Sequence, residues 1–177
     1  MVKDDRQTNQ LTIALFVIYL GALVWILLFK MGVHFSYMGT GSSINFIPFS
    51  RPVILNGKND AGESVMNVLI FVPLGMYAGI LFQRWQTGKK LFLFFAISFL
   101  IEACQYISGL GAADITDIIT NTLGGTLGLM IYAGIGKAFR SSVKAQKFIN
   151  LIATITTVLM ILFLFLLRTN RLWIRYQ

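Results

Sequence analysis

Hydrophobic side chains fall into five runs along the chain, each bounded by basic or turn-forming residues. The runs are Leu11–Phe29, Ser64–Phe82, Leu91–Ile107, Asp114–Gly136 and Phe148–Leu167. Each has about 17–23 residues, which suits a hydrocarbon core of ~30 Å at ~1.5 Å of rise per helical residue. Because lipid cannot satisfy backbone N–H and C=O groups, such a run must be helical. The pattern predicts an all-α polytopic membrane protein, with five transmembrane helices in a single domain over residues 1–177.

Composition supports a membrane location. Hydrophobic residues make up 56% of the chain and charged residues only 12%, whereas an average soluble domain has about 25% charged residues. The net charge of +8 would suggest nucleic acid as the partner of a soluble protein. Here the basic residues lie in short stretches between apolar runs, where anionic lipid headgroups are the expected counterions. We therefore expect membrane lipids, and no nucleic acid, as partners.

The distribution of Lys and Arg predicts the orientation. One side of the membrane holds nine basic residues, namely Lys3, Arg6, Arg84, Lys89, Lys90, Lys137, Arg140, Lys144 and Lys147. The other side holds six, namely Lys30, Arg51, Lys58, Arg168, Arg171 and Arg175. Since the more basic side usually faces the cytoplasm, the count predicts a cytoplasmic N-terminus. The basic C-terminal tail argues for the opposite orientation.

The longest non-spanning segment, Lys30–Glu63, is extracellular in this orientation. A loop of such length is usually functional or disordered. Its apolar hexapeptide, residues 44–49, has a central Pro48 and is too short to span the membrane. The sequence leaves open whether this loop lies in the interface or is re-entrant.

Three of the seven acids occupy apolar surroundings: Glu102, Asp114 and Asp117. A charged side chain at membrane depth costs roughly 2.5–3.5 kcal/mol on insertion scales, so each one needs a reason. In the predicted topology these acids gather at the outer-leaflet level. The carboxamides of Asn45, Asn67, Gln105 and Asn121 complete the candidate polar site there.

The fourth run carries one continuous stripe of small and polar residues. Asp114, Asp117 and Asn121 precede glycines at helical spacing, so all of them share one face. Glycines at this spacing let another helix approach closely. The predicted packing residues are Gly124, Gly125 and Gly128 in the fourth run and Gly75 and Gly79 in the second.

Several chemical interpretations stay open at this point. Asp114 has the position of a helix N-cap, whereas Glu102 lies too far from a helix end for that role. Two carboxylates could hold a divalent cation or share a proton, although no metal ligands are assigned. His34 is the only histidine, which argues against a zinc site rich in histidine. Catalytic residues and cofactors are not assigned, and Cys104 is expected to be a small buried hydrophobe.

Taken together, the polar and glycine motifs resemble the VanZ family. The motifs are Asn45-x-x-Pro48-Phe49, the segment Asn67–Gly75, Glu102-x-x-Gln105, and Asp114-Ile115-Thr116-Asp117-x-x-x-Asn121-Thr122-x-Gly124-Gly125-x-x-Gly128. Their order and spacing are far more specific than any single Gly-x-x-x-Gly match. Trp25-x-x-x-Phe29-Lys30 and Arg168-Thr169 are also similar to the antibiotic-resistance member of the family.

The resemblance implies a small multipass protein of the cell envelope that confers low-level resistance to the glycopeptide antibiotic teicoplanin. No catalytic residues are defined for the family, so the motif positions alone are carried over, as a candidate site. The leading hypothesis is a polar outer-leaflet site that binds or modifies the drug or the lipid-linked cell-wall precursor. The alternatives are an intramembrane enzyme that depends on a metal or a carboxylate, and a small transporter or membrane scaffold.

Overall fold

Five helices dominate the described part of the chain, which comprises residues 2–29, 44–49, 54–55, 58–59, 61–109 and 113–168 of a computed structural model. They are α1 Val2–Phe29, α2 Ala61–Leu81, α3 Thr87–Ile107, α4 Ile115–Phe139 and α5 Ser142–Arg168. Each contains a stretch long and apolar enough to cross a membrane. The prediction of an all-α, multipass membrane protein with five such helices is confirmed.

Short paired strands occur in the segments between the helices. They are β1 Ile44–Asn45, β2 Ile54–Leu55, β3 Lys58–Asn59 and β4 Ala113–Asp114. β1 pairs in parallel with β4, and β2 pairs with β3 in an antiparallel arrangement. Most of the long first loop, including His34, lies outside the described residues. Of the apolar hexapeptide, Phe46, Ile47 and Phe49 are exposed.

The bundle has two ends, which we name after the connections they hold. The α3–α4 end contains the turn after α3, the strand β4 and the first turn of α4. The α4–α5 end contains the connection around Arg140 and Ser141, together with the first turns of α1 and α5. A hydrogen bond from Gln105 Nε2 to the carbonyl oxygen of Leu27 places the last turn of α1 at the α3–α4 end.

The parallel pair α2 and α4 forms the tightest helix contact, and glycines make it possible. A Cβ atom on Gly75 would collide with the carbonyl oxygen of Gly125. Likewise, a Cβ on Gly124 or Gly128 would collide with the carbonyl oxygen of Val68 or Val72, respectively. Gly79 lies against the ring of Tyr132. The five predicted packing glycines therefore all lie where a side chain would meet a neighbour, since Gly125 also faces the ring of Phe94.

A compact apolar core lies beside this contact. Phe71 and Leu74 from α2 and Phe94 from α3 are fully buried and cluster with Leu23 of α1. Many other large apolar side chains point away from the bundle, as Phe92, Leu100 and Met130 do. In a membrane-spanning protein such side chains face hydrocarbon, so their exposure carries no penalty.

One expectation about α3 is wrong. Cys104 was expected to be buried, but it is exposed. The reason is its position between Glu102 and Gln105, which face the interior: at about 100° per residue, Cys104 must point away from them. In lipid an outward position suits a small apolar residue as well as burial does.

A group of buried polar side chains that the sequence did not predict joins α1 to α5 at the α4–α5 end. Thr12 Oγ1 accepts hydrogen bonds from Gln146 Nε2 at 2.8 Å and from Asn150 Nδ2 at 2.9 Å. All three side chains are buried. Gln146 also donates to Asn9 Oδ1. The partners are more than 130 residues apart in sequence, so no local pattern could have revealed them.

Candidate functional site

The start of α4 is fixed by Asp114. This residue is the N-cap, and its Oδ1 accepts a hydrogen bond from Thr116 N at 2.8 Å. Its other carboxylate oxygen accepts one from Asn45 Nδ2 at 3.2 Å. The pairing of Asn45 with Asp114 in the β1–β4 ladder brings the two side chains together. The capping interpretation is thus correct for Asp114, and the same carboxylate also holds the apolar hexapeptide against α4.

The hexapeptide has a second attachment to the same turn of α4. Phe49 N donates to Thr116 Oγ1 at 3.0 Å, and Ile47 N donates to Asn45 Oδ1 at 3.1 Å. Phe49 has a positive φ of 55°, which non-glycine residues adopt only rarely. The hexapeptide is therefore shaped by its bonds to Asn45 and Thr116, and it forms a strap across the α3–α4 end.

Glu102 supports this arrangement from α3. Its Oε2 accepts a hydrogen bond from Asp114 N at 3.1 Å, so the carboxylate binds the first free N–H at the start of α4. Glu102 is only 4% exposed. A helix N-terminus attracts negative charge, which stabilises an ionised carboxylate in this otherwise costly position.

Asp117 connects α4 to α2. Its Oδ1 accepts a hydrogen bond from Asn67 Nδ2 at 2.9 Å, and both side chains are buried. Because the two residues lie on different helices, this bond helps to set the position of α4 along the axis of α2. On α4 it lies about two turns before Gly124, where the glycine contact with α2 begins. Polar and steric interactions therefore position the same helix pair.

Two buried carboxamides close the inner side of the arrangement. Asn121 Nδ2 lies 2.9 Å from Ser98 Oγ, and Gln105 Nε2 donates to the Leu27 carbonyl at 2.7 Å. Each residue is 1% exposed. Gln105 Oε1 and Asn121 Oδ1 have no hydrogen-bond partner within the described part of the chain. A buried acceptor without a donor costs about 1–3 kcal/mol, so these two oxygens are unusual.

The residues described above form one group, which we call the polar cluster. Its members are Asn45, Asn67, Ser98, Glu102, Gln105, Asp114, Thr116, Asp117 and Asn121. Of the seven residues that the sequence singled out, five bond to one another, with Asn45 and Glu102 bonded to Asp114 and Asn67 to Asp117. Gln105 and Asn121 lie on the same helices but bond to Leu27 and Ser98 instead. Ser98 was missed, and Thr116 belongs to the family motif but was not selected as a site residue. The reason is that Ser and Thr in membrane helices commonly bond only to the carbonyl four residues earlier, as Thr122 and Thr126 do.

A cavity of about 220 Å³ opens beside the polar cluster. It lies between α3, α4 and the strap, with Phe46, Phe99, Ala103, Tyr106 and Ile118 among its lining residues. Asn45, Glu102 and Asp114 border it on the side of the cluster. The cavity therefore joins an apolar wall to the edge of a buried polar network.

The geometry does not favour a metal centre. Among the described residues, no three His, Cys, Asp or Glu side chains are close enough together to hold a metal ion. The carboxylates instead accept hydrogen bonds from backbone and carboxamide N–H groups. We therefore assign no cation to the cluster.

Known proteins similar to this chain support the family resemblance that the motifs indicate. The family model described as VanZ/LLP1 matches residues 16–139, which include the whole polar cluster. Protein VanZ of Enterococcus faecium is 32% identical over 160 residues, covering 88% of this chain and 94% of that protein. No solved structure matches the chain significantly. From the family match and this relative we conclude that the chain belongs to the VanZ/LLP1 family.

Proposed function

We propose that this protein confers low-level resistance to teicoplanin by binding the drug, or the lipid-linked cell-wall precursor, at the polar cluster. Family membership motivates the link to resistance. The observation that carries the proposed site is the convergence of three acids and four carboxamides from α2, α3, α4 and the strap at one end of the bundle. Polar side chains at membrane depth have a free-energy cost, so those that do not cap a helix end are expected to serve a function.

The state of the cluster favours binding. Gln105 and Asn121 each retain an acceptor oxygen without a partner among the described residues. Neither residue lines the cavity beside the cluster, so an O–H or N–H donor of a ligand would have to enter the buried part of the cluster to satisfy these oxygens. The positive-inside count favours an orientation in which the α3–α4 end faces outward, where both candidate ligands are found. Teicoplanin carries an acyl chain, so a membrane-level site suits it.

Binding is preferred over transport because the core next to the cluster is closed. Phe71 lies one turn from Asn67 on α2, and Phe94 lies one turn from Ser98 on α3; both are fully buried. With Leu74 they fill the space toward the α4–α5 end. A transport route along this axis would have to move these side chains aside.

An intramembrane enzyme is the alternative, with Glu102 or Asp117 as the general base. Burial of these two carboxylates is the observation that favours it. Mass spectrometry separates the two functions after incubation of teicoplanin and the precursor with protein-containing membranes. A binding protein leaves both masses unchanged, and an enzyme changes one of them.

Alanine substitutions in the cluster should abolish resistance. We expect Glu102→Ala, Asp117→Ala and Asn121→Ala each to return the teicoplanin susceptibility of an expressing Gram-positive host to that of cells without the protein. The matched control is Thr126→Ala, which removes only a bond within α4 to the Thr122 carbonyl. Immunoblots of membranes verify equal protein levels. If all three cluster variants, at normal protein levels, gave the same teicoplanin susceptibility as the wild-type protein, the proposed site would be refuted.

A further inference from the structure

The strap, residues 44–49, presents an apolar surface at the α3–α4 end of the bundle. Phe46, Ile47 and Phe49 are 76%, 68% and 67% exposed, respectively. The strap has no charged residue, and its one polar side chain, Asn45, is bonded to Asp114. A re-entrant position between the helices, which the sequence left open, would bury the apolar side chains of the strap. The structure therefore excludes that position for the strap and leaves an exposed apolar segment to be explained.

The strap lies at the level where the membrane-spanning part of the bundle ends. Phe49 N donates to Thr116 Oγ1, and Thr116 lies in the first turn of α4. The stretches of α3 and α4 that could cross a membrane end at Ile107 and begin at Ile115, respectively. Ile107 is itself exposed. The strap is therefore bonded to a turn that belongs to the spanning stretch of α4, at the same end of the bundle as an exposed apolar helix end.

The backbone N–H groups at the tip of the strap have partners within the protein. Ile47 N donates to Asn45 Oδ1, and Phe49 N donates to Thr116 Oγ1. Pro48, which lies between them, has no N–H. Water would satisfy such groups on an ordinary surface loop, whereas lipid offers them no partner and an unpaired N–H there has a large free-energy cost. Internal bonding from Ile47 to Phe49 is thus what a segment in contact with lipid requires.

The exposed surface, its level and its bonded backbone together indicate lipid as the partner. We propose that α4 holds the strap at the edge of the hydrocarbon core, where Phe46, Ile47 and Phe49 insert among the acyl chains of the adjacent leaflet. Apolar side chains on an interfacial segment stabilise membrane binding in proportion to the apolar area that they bury. A second copy of this chain is a poorer partner, because a standard protein interface has about 20–30 residues on each side.

Insertion of the strap also determines the depth of the polar cluster. Asp114 accepts a hydrogen bond from Asn45 of the strap, and its own N–H donates to Glu102. These three members of the polar cluster therefore lie just below the lipid headgroups when the strap is inserted. The inference does not depend on which ligand the cluster binds or on which side of the membrane the α3–α4 end faces.

Site-directed spin labelling in proteoliposomes tests the insertion. A nitroxide is attached to Ile47→Cys of the full-length protein, in a Cys104→Ser background, in vesicles of phosphatidylcholine and phosphatidylglycerol. Power saturation compares collisions of the label with oxygen, which concentrates in hydrocarbon, and with a water-soluble nickel chelate. The oxygen-to-nickel ratio should be at least threefold higher at Ile47→Cys than at Gln86→Cys, an exposed position just before α3. It should be lower than at Leu100→Cys, which lies deeper on the exposed face of α3.

A pair of threonine variants tests whether α4 holds the strap. Thr116→Val removes the acceptor of Phe49 N and should at least double the collisions of the Ile47→Cys label with the nickel chelate, because the freed N–H favours water. Thr126→Val, the matched control, removes only a bond within α4 and should leave both collision rates unchanged. If Thr116→Val is not recovered as folded protein, Asn45→Ala replaces it, since it removes two other bonds of the strap.

Each outcome decides the inference. A collision ratio at Ile47→Cys equal to that at Gln86→Cys would show that the strap lies in water and would overturn the insertion. Spin–spin broadening that disappears on dilution with unlabelled protein would show that a second copy covers the strap, and would also overturn it. A high ratio that is the same in Thr116→Val and Thr126→Val would overturn the role of α4 in holding the strap. A high ratio that falls only in Thr116→Val supports the proposal.

Discussion

Replacing Gly75 by valine should leave almost no folded protein in the membrane. At this position the backbones of α2 and α4 touch, and a Cβ would collide with Gly125 O and approach Leu129 N. Overpacking a well-packed site costs typically 1–3 kcal/mol. We expect the upper end of this range or more, because both obstructing groups are backbone and cannot change rotamer. Fluorescence-detected size-exclusion chromatography should show at least a tenfold loss of the monodisperse peak.

Gly134→Val is the matched control for this prediction. Gly134 lies in the same helix as Gly125, and nothing lies within 4 Å of a Cβ built on it. Both changes replace a helical glycine by valine, so the change in helix propensity is similar and the comparison isolates the close approach of the two helices. Equal recovery of Gly75→Val and Gly134→Val would show that α2 and α4 do not pack through these glycines.

Cysteine labelling should show which end of the bundle faces the cell exterior, because each introduced cysteine should react either strongly or not at all in intact cells. In a Cys104→Ser background, Ser108→Cys lies in the turn after α3 and Gln86→Cys lies just before α3; both positions are exposed. Because the more basic side faces the cytoplasm, a membrane-impermeant maleimide should label Ser108→Cys in intact cells. Gln86→Cys should react only after permeabilisation. The opposite pattern would put the polar cluster on the cytoplasmic side and remove its access to an external drug.

The helices could be predicted from the sequence because lipid allows few alternatives. A long apolar run must form a helix, and its length is set by the thickness of the bilayer. The apolar runs did not define where a helix begins when its first turns are polar. α1 starts at Val2 and α5 at Ser142, well before the apolar runs, since turns outside the hydrocarbon need not be apolar.

The polar residues could be grouped because each was unusual in its own helix. Glu102, Asp117 and Asn121 stand out against apolar neighbours, and topology brings their helix ends together. The structure adds the individual bonds, such as Asn67 to Asp117, which the sequence could not assign. The role of these residues in resistance stays a prediction.

The polar contacts between α1 and α5 and the β1–β4 pairing could not be predicted. Thr12 and Asn150 are polar residues at the edges of apolar runs, where their presence needs no explanation. Their 138-residue separation leaves no periodic signal. The β1–β4 pairing, which joins Asn45 to Asp114, is similarly invisible because two-residue strands have no pattern of alternation.

Exchange of Asn67 and Asp117 separates a role of the Asp117 carboxylate in ligand binding from a role in helix packing. Asp117→Asn alone removes one carboxylate from the cluster and should abolish teicoplanin resistance. The double variant, Asn67→Asp with Asp117→Asn, retains one carboxylate and one carboxamide able to form the same hydrogen bond, but moves the charge from α4 to α2. If the carboxylate of Asp117 acts on the ligand, susceptibility measured at equal protein level should remain that of cells without the protein. Full resistance in the exchanged variant would mean that this pair only joins two helices, and would contradict the account.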